Sequence, residues 1–306
     1  KSRGVITGSC VTDLAENKIK SIETLTDEPP LGPKMLAWLK WLSQYYLHPV
    51  GQVFAMAYAP GDEIRKRKSK KSSPLEFAGG ESGASAEALA PTPEQKVAID
   101  AIVASSERGA FETFLLFGVT GSGKTEVYLQ AIDHVLRTKK QVLVLVPEIS
   151  LTPQLIKRFV TRFGDNVAVL HSHLTERERS DQWWQMVRGK KQILVGARSA
   201  LFCPVENLGL IVVDEEHEPS YKQEEQLKYH ARDAAVMRGL MAKCPVVLCS
   251  ATPSLESWQN AQLGKYKLLE LSARVENRPL PQVEVIDLRV EKDERDEFLP
   301  HWLSRT

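Results

Sequence analysis

Apolar residues along this 306-residue chain follow two rhythms, separated by a stretch that has neither. From residue 113 onward, short runs that are apolar at nearly every position recur. They are TFLLF (113–117), QVLVLV (141–146), NVAVL (166–170), QILVG (192–196), LGLIVV (208–213) and PVVLC (245–249). Runs of this length without polar alternation predict strands buried on both faces. The segments between them predict helices that begin near Gly123, Pro153, Thr175 and His230. In the first, Val127, Ala131 and Val135 form one apolar stripe. Strands alternating with helices predict an α/β fold, a parallel sheet covered on both faces. Such sheets gather their chemistry at the carboxyl ends of the strands.

The first 59 residues read differently. β-rich text (GVITGSCV) is followed by a helical patch in which Met35, Leu36, Leu39, Leu42 and Tyr46 fall at helical spacing. Gly32-Pro33 opens that helix, and Pro49 stops it. Trp38 and Trp41 are i, i+3 neighbours on it and are expected to pack. Between residues 60 and 91 both rhythms vanish, and RKRKSKK (65–71) sits among small polar residues. This stretch predicts a flexible basic linker that can touch phosphates without folding. The expected organisation is therefore a small N-terminal part (1–59), a linker (60–91) and an α/β part from residue 92 onward.

Composition changes this picture little. The chain is 42% apolar and 26% charged, as in soluble globular proteins, and its formal net charge of +1 does not mark it as a nucleic-acid binder. Cys10, Cys203, Cys244 and Cys249 form no CxxC pair, so free thiols and a cytoplasmic setting are expected. No run approaches the roughly 18 apolar residues of a membrane helix.

Two motifs carry the chemistry. GVTGSGKT (118–125) follows a predicted strand and opens a predicted helix, as the phosphate-cradling P-loop does. Backbone N–H groups from Gly118 to Gly123, chiefly those of Gly121, Ser122 and Gly123, would wrap phosphate oxygens. Lys124 would reach the β- and γ-phosphates of ATP, and the Thr125 hydroxyl would ligate Mg²⁺. DEEH (214–217) ends the run LGLIVV, and unpaired carboxylates at a buried strand end need a cation or a reactant. Asp214 is the natural partner of Thr125 on Mg²⁺, and Glu215 would polarise the attacking water. His217 would link nucleotide state to the sheet, while Glu216 is assigned no step. SAT (250–252) could bond to the acidic cluster, or Ser254 simply caps the next helix. His171 and His173 lack a third ligand for a metal. Of Trp183 and Trp184, one is expected in the core and the other partly exposed.

GVTGSGKTEVY, LVPEISLTPQ, LHS, GARSALF, IVVDEEHEPSYKQEE, YHARD and CSATPSLES together resemble the replication-restart DNA helicases of superfamily 2. The resemblance implies a RecA-like motor lobe (92–275), the truncated start of a second lobe (276–306) and a 3′-to-5′ DNA helicase driven by ATP and Mg²⁺. It also implies a partial N-terminal domain for 3′ DNA ends, with Lys20 in its pocket. Gln95 matches the residue that reads adenine. Pro147, Glu148, Gly196, Ala197 and Arg198 match segments facing single-stranded DNA, with Arg198 on a phosphate. Tyr221 to Arg232 match a loop coupling DNA contact to hydrolysis, with Tyr221 and Tyr229 as stacking faces among Lys222, Lys228 and Arg232. Implied partners are forked and single-stranded DNA, primosome proteins, single-stranded DNA-binding protein and a replicative helicase loader, in a nucleoid-associated setting. A winged-helix domain and most of a second lobe, with its Zn²⁺ cysteines, are absent from the chain, so slow turnover is expected of it alone. Two readings remain open beside the motor: a nucleotide-gated DNA-binding or loading scaffold, and a P-loop enzyme acting on a small molecule.

Overall fold

The computed structural model describes residues 29–59, 89–172 and 174–275. Lys20, Cys10, His173, the basic linker and residues 276–306 lie outside the described residues. All six predicted strands form: β1 (Thr113–Gly118), β2 (Gln141–Leu145), β3 (Val167–Leu170), β4 (Ile193–Gly196), β5 (Leu208–Val213) and β6 (Val246–Ser250). A seventh, β7 (Lys267–Leu271), adds to the edge beside β1. The apolar-run criterion passes over β7 because its burial is mixed, exposed at Lys267 and Glu270 and buried only at Leu271.

The pairings within this sheet are parallel, in the order β3-β4-β2-β5-β6-β1-β7. Alternate side chains along each strand feed two separate cores. Leu115, Leu143, Leu145, Ile211, Val213 and Leu248 face one; Phe114, Leu116, Val142, Val144, Val212 and Val247 face the other. The second core is closed by α3 (Pro93–Glu107), α4 (Lys124–Arg137) and α5 (Pro153–Phe163). The first is closed by α6 (Glu176–Val187), α7 (Ala231–Ala242) and α8 (Leu255–Gln262). Both Trp183 and Trp184 are buried on α6, so the expected exposure of one of them does not occur. Helix starts follow local chemistry: Thr92 and Thr175 build capping boxes with Gln95 and Glu178, and Ser254 caps α8.

Helix α1 (Pro33–Tyr45) packs against α7 and the short α2 (Val50–Ala55) against α1, both within the first core. Met35, Leu39 and Leu42 of the predicted stripe are buried there, and Leu36 and Tyr46 line its margin. The helix stops before Pro49, at Tyr45, with Leu47 in the left-handed region (φ +50°), and Pro49 instead serves as N-cap residue of α2. β5, β6 and β1 are neighbours, so the ends bearing DEEH, SAT and the P-loop lie side by side.

Candidate functional site

The P-loop turns tightly because three glycines permit it. A side chain at Gly118 would lie 2.5 Å from Ser122 Oγ and 2.9 Å from Leu271 Cβ. Gly121 and Gly123 both hold φ of +84°, a region that residues with a Cβ rarely adopt. The Ser122 N–H donates to Val119 O (3.0 Å), which closes the turn before α4 begins at Lys124. Lys124 is only 9% exposed, and its Nζ donates to Gly118 O (2.6 Å) and Val119 O (3.4 Å). Among the described residues no carboxylate lies within ion-pair distance of that ammonium. A buried cation held only by carbonyls, at a helix N-terminus, fits an incoming phosphate.

Gln95 sits behind the loop. Its Oε1 accepts from Thr92 N–H (2.9 Å), and its Nε2 donates to Ser122 O (2.8 Å). The residue read from sequence as an adenine contact thus also fastens α3 to the P-loop.

Asp214 extends the β5 ladder by one bond, its N–H donating to Leu145 O (2.9 Å), and stands half-buried at the strand end. The Tyr128 hydroxyl donates to Asp214 Oδ2 (3.0 Å) and also reaches the Thr125 side chain. One buried phenol therefore bridges the two expected Mg²⁺ ligands, and Lys124 is close enough to act on the Asp214 charge. Tyr128 belongs to neither sequence motif; its place one helical turn after Thr125 is the signal that the chain offers for it. Burial pushes the Asp214 carboxyl up to about 6, and the Glu215 charge adds to this; Tyr128, the Glu215 N–H and Lys124 pull the other way. Oxygen donors of this kind suit Mg²⁺. Among the described residues no three His, Cys, Asp or Glu side chains gather around one point. A divalent cation here would thus be shared with phosphate oxygens rather than caged by protein alone.

Glu215 adopts a φ of +46°, a strained setting for a residue with a side chain, and its N–H donates to Asp214 Oδ1 (3.1 Å). Its carboxylate lies 3.5 Å from His217 Nδ1, which pairs with Ser250 Oγ at 2.8 Å. Ser250 Oγ also accepts from Thr252 N–H (2.9 Å), so DEEH and SAT are bonded to each other. Glu216, left without a step from sequence, is 1% exposed and saturated. It accepts from Ser254 N–H (2.7 Å), Ser254 Oγ (3.0 Å), Ser257 Oγ (2.8 Å) and Arg232 Nη1 (3.3 Å). Its partners come from two other elements up to 41 residues away, which no local pattern announces.

The DNA-facing expectations divide. Lys222 and Lys228 are exposed, and Arg198 is partly so. Arg198 Nη1 donates to Ser220 O (2.7 Å) and Lys222 O (3.3 Å), tying two of the expected segments together. Tyr221 and Tyr229 are not stacking faces: they are 1% and 2% exposed. Tyr221 OH donates to Asp214 O (2.6 Å), and the Tyr229 ring stands edge-on to Phe202 at 5.3 Å. Arg232 is buried and ion-paired with Glu216 and Asp233, so it is not free for a phosphate. The cause is common to all three: the 219–232 stretch folds back on the sheet instead of standing off as a charged loop.

A parallel sheet with a P-loop after one inner strand and an acidic end two strands away defines a P-loop nucleotide-binding lobe. The DEAD/DEAH box helicase family matches residues 92–261, and the chain belongs to that family. A 3′ DNA-binding domain family (3′BD) matches residues 2–59. The replication restart protein PriA of Bacillus subtilis is 53% identical over 205 residues, covering 67% of this chain and 26% of the relative. That of Rickettsia conorii is 37% identical over 304 residues, covering 97% of this chain and 45% of the relative. The chain thus spans less than half the length of these relatives. A solved structure of RecG bound to a three-way DNA junction aligns with 20% identity and a TM-score of 0.46, over 78% of this chain and 29% of that one.

Proposed function

We propose that the chain is the ATP-binding part of a 3′-to-5′ DNA helicase that acts in replication restart, at stalled forks. The observation that carries this reading is the junction at Tyr128, where Thr125 and Asp214 meet through one hydroxyl beside Lys124. With ATP bound, Lys124 would exchange its loop carbonyls for the phosphates, and Thr125 and Asp214 are the residues that would hold Mg²⁺. When bound, Mg²⁺ neutralises charge on the phosphates. Glu215 would take the proton of a water whose oxygen bonds to the γ-phosphorus as the bond to the bridging oxygen breaks and ADP leaves with its electron pair. The His217–Ser250 pair would pass a change at the acidic end into β6.

Arg198, Lys222 and Lys228 contact DNA phosphates, and the bonds from Arg198 to the 220–222 backbone support a link from DNA to Asp214. The match of residues 2–59 to a 3′ DNA-binding domain supports a DNA end as a second ligand, with Lys20 in its pocket. Fork and single-stranded DNA, single-stranded DNA-binding protein, primosome proteins and a helicase loader are the proposed partners of the whole protein. Zn²⁺ belongs to a segment outside this chain, and the setting is the nucleoid. The alternative of a nucleotide-gated scaffold is less well supported, because relatives at 53% and 37% identity carry the restart-protein name.

The deciding experiment measures ATP turnover by a protein that carries this chain together with a second lobe, with and without forked DNA. Stimulation is expected, and Lys124→Ala should lower nucleotide affinity about 100-fold. Turnover indifferent to DNA would sink the helicase reading, and tight nucleotide binding by Lys124→Ala would sink the assigned site.

A further inference from the structure

α1 belongs to the segment that matches a DNA-end-binding domain, yet its central side chain is sunk in the ATP-binding lobe. Trp38 is 0% exposed, and its Nε1–H donates to Ala234 O of α7 at 3.0 Å. One ring neighbour is Phe202, with centroids 5.2 Å apart. Another is the buried guanidinium of Arg238, whose Cζ lies 5.3 Å from the Trp38 ring centroid.

Arg238 has no carboxylate partner among the described residues, and an unpaired buried charge is costly unless its donors are used. They are used on one turn: Nη1 donates to Leu201 O and Nη2 to Cys203 O (2.7 Å), the carbonyls on either side of Phe202. This turn, Arg198–Phe202, is the segment whose Arg198 grips the backbone at 220 and 222. Tyr221 then holds Asp214 O at 2.6 Å. A second strand of contacts runs alongside. Tyr229 OH donates to Arg198 O (3.4 Å), and His230 N–H donates to Tyr46 OH of the N-terminal segment (3.4 Å). From α1 to the end of β5 the path thus runs through hydrogen bonds, ring contacts and two short backbone segments, 198–203 and 220–222.

We infer that Trp38 is a positioning residue that joins the N-terminal DNA-end-binding segment to the ATP site through Arg238 and the 198–203 turn. The inference rests on the proposed ATP and DNA roles of the lobe. Trp38 roofs Arg238, keeps water from the guanidinium, and so fixes the two carbonyls that set the turn. A DNA end that shifts α1 shifts this turn, and with it the carbonyl of Asp214. A residue that merely fills the core would affect stability and nothing else.

The test is the affinity of this chain for a Mg²⁺-bound, non-hydrolysable ATP analogue, measured with and without a single-stranded oligonucleotide bearing a free 3′ end. In the wild type the oligonucleotide should change that affinity by about fivefold or more, in the range of ordinary site-to-site coupling. Trp38→Leu should bring the ratio to about 1 while leaving the DNA-free affinity within about twofold, and Trp38→Phe should fall between. Should Trp38→Leu fail to fold, Trp38→Phe decides: a reduced ratio supports the inference, an unchanged one overturns it. Lower thermal stability with an unchanged ratio makes Trp38 a packing residue only. A wild type that binds the nucleotide but ignores the oligonucleotide also overturns the inference, and leaves the ATP site standing. No nucleotide binding at all removes the proposed function and the inference together.

Discussion

The P-loop and the acidic strand end share one edge of one sheet, yet the first is made by its own eight residues and the second by distant elements. In the P-loop, glycine dihedrals and a helix start do the shaping, and Lys124 rests on carbonyls it can exchange for phosphate. At the end of β5 the carboxylates divide. Asp214 stays half-buried and uneasy in its charge, whereas Glu216 is locked by Arg232, Ser254 and Ser257. Two acids of one tetrapeptide thus sit in opposite settings: Asp214 accepts from the Tyr128 hydroxyl and the Glu215 N–H, whereas Glu216 accepts four hydrogen bonds from two other elements.

Breaking the locked acid should have the largest effect. Glu216→Ala removes the acceptor of four hydrogen bonds from Ser254, Ser257 and Arg232 in a buried site and should cost about 3 kcal/mol or more of stability, read by chemical denaturation. Loss below about 1 kcal/mol would mean that Glu216 is not the lock described.

Asp214 offers a gentler break. Its proton is held up to about 6 in the fold against 3.8 as the unperturbed value. That group's contribution to stability therefore declines as pH rises from about 4 to about 6 and stays low above it. A cation needs the ionised form, so Mg²⁺-dependent nucleotide affinity should fall the opposite way, by up to about tenfold per pH unit below 6. Titration at several pH values against Asp214→Asn, which removes the carboxylate but not the titration of the nucleotide itself, isolates this trend. Equal pH dependence in both proteins would contradict it.

The smallest effect belongs to Tyr221. Tyr221→Phe removes only the bond to Asp214 O and should lower stability by about 1 kcal/mol, with single-stranded DNA affinity unchanged. Weaker DNA binding would return Tyr221 to the surface role that its burial denies.

These differences follow how far each feature reaches along the chain. Six strands were readable because each is apolar on both faces, and the P-loop because all its determinants lie in one octapeptide. β7 was not, since an edge strand with charged positions shows no continuous run. Tyr221, Tyr229 and Arg232 look like a charged aromatic surface when read in order. Only the return of that stretch onto Phe202, Asp214 and Glu216 reveals them as packing. The Tyr128 bridge and the Glu216 lock needed three dimensions for the same reason.

The seat of Trp38 also sets a timetable for synthesis. Its carbonyl partner at Ala234 lies 196 residues downstream. At roughly 5–20 residues per second, an indole made early waits about 10–40 seconds, uncovered, for the helix that will receive it. For that interval the nascent chain presents a greasy surface that a chaperone, or a neighbouring ribosome's product, is free to find.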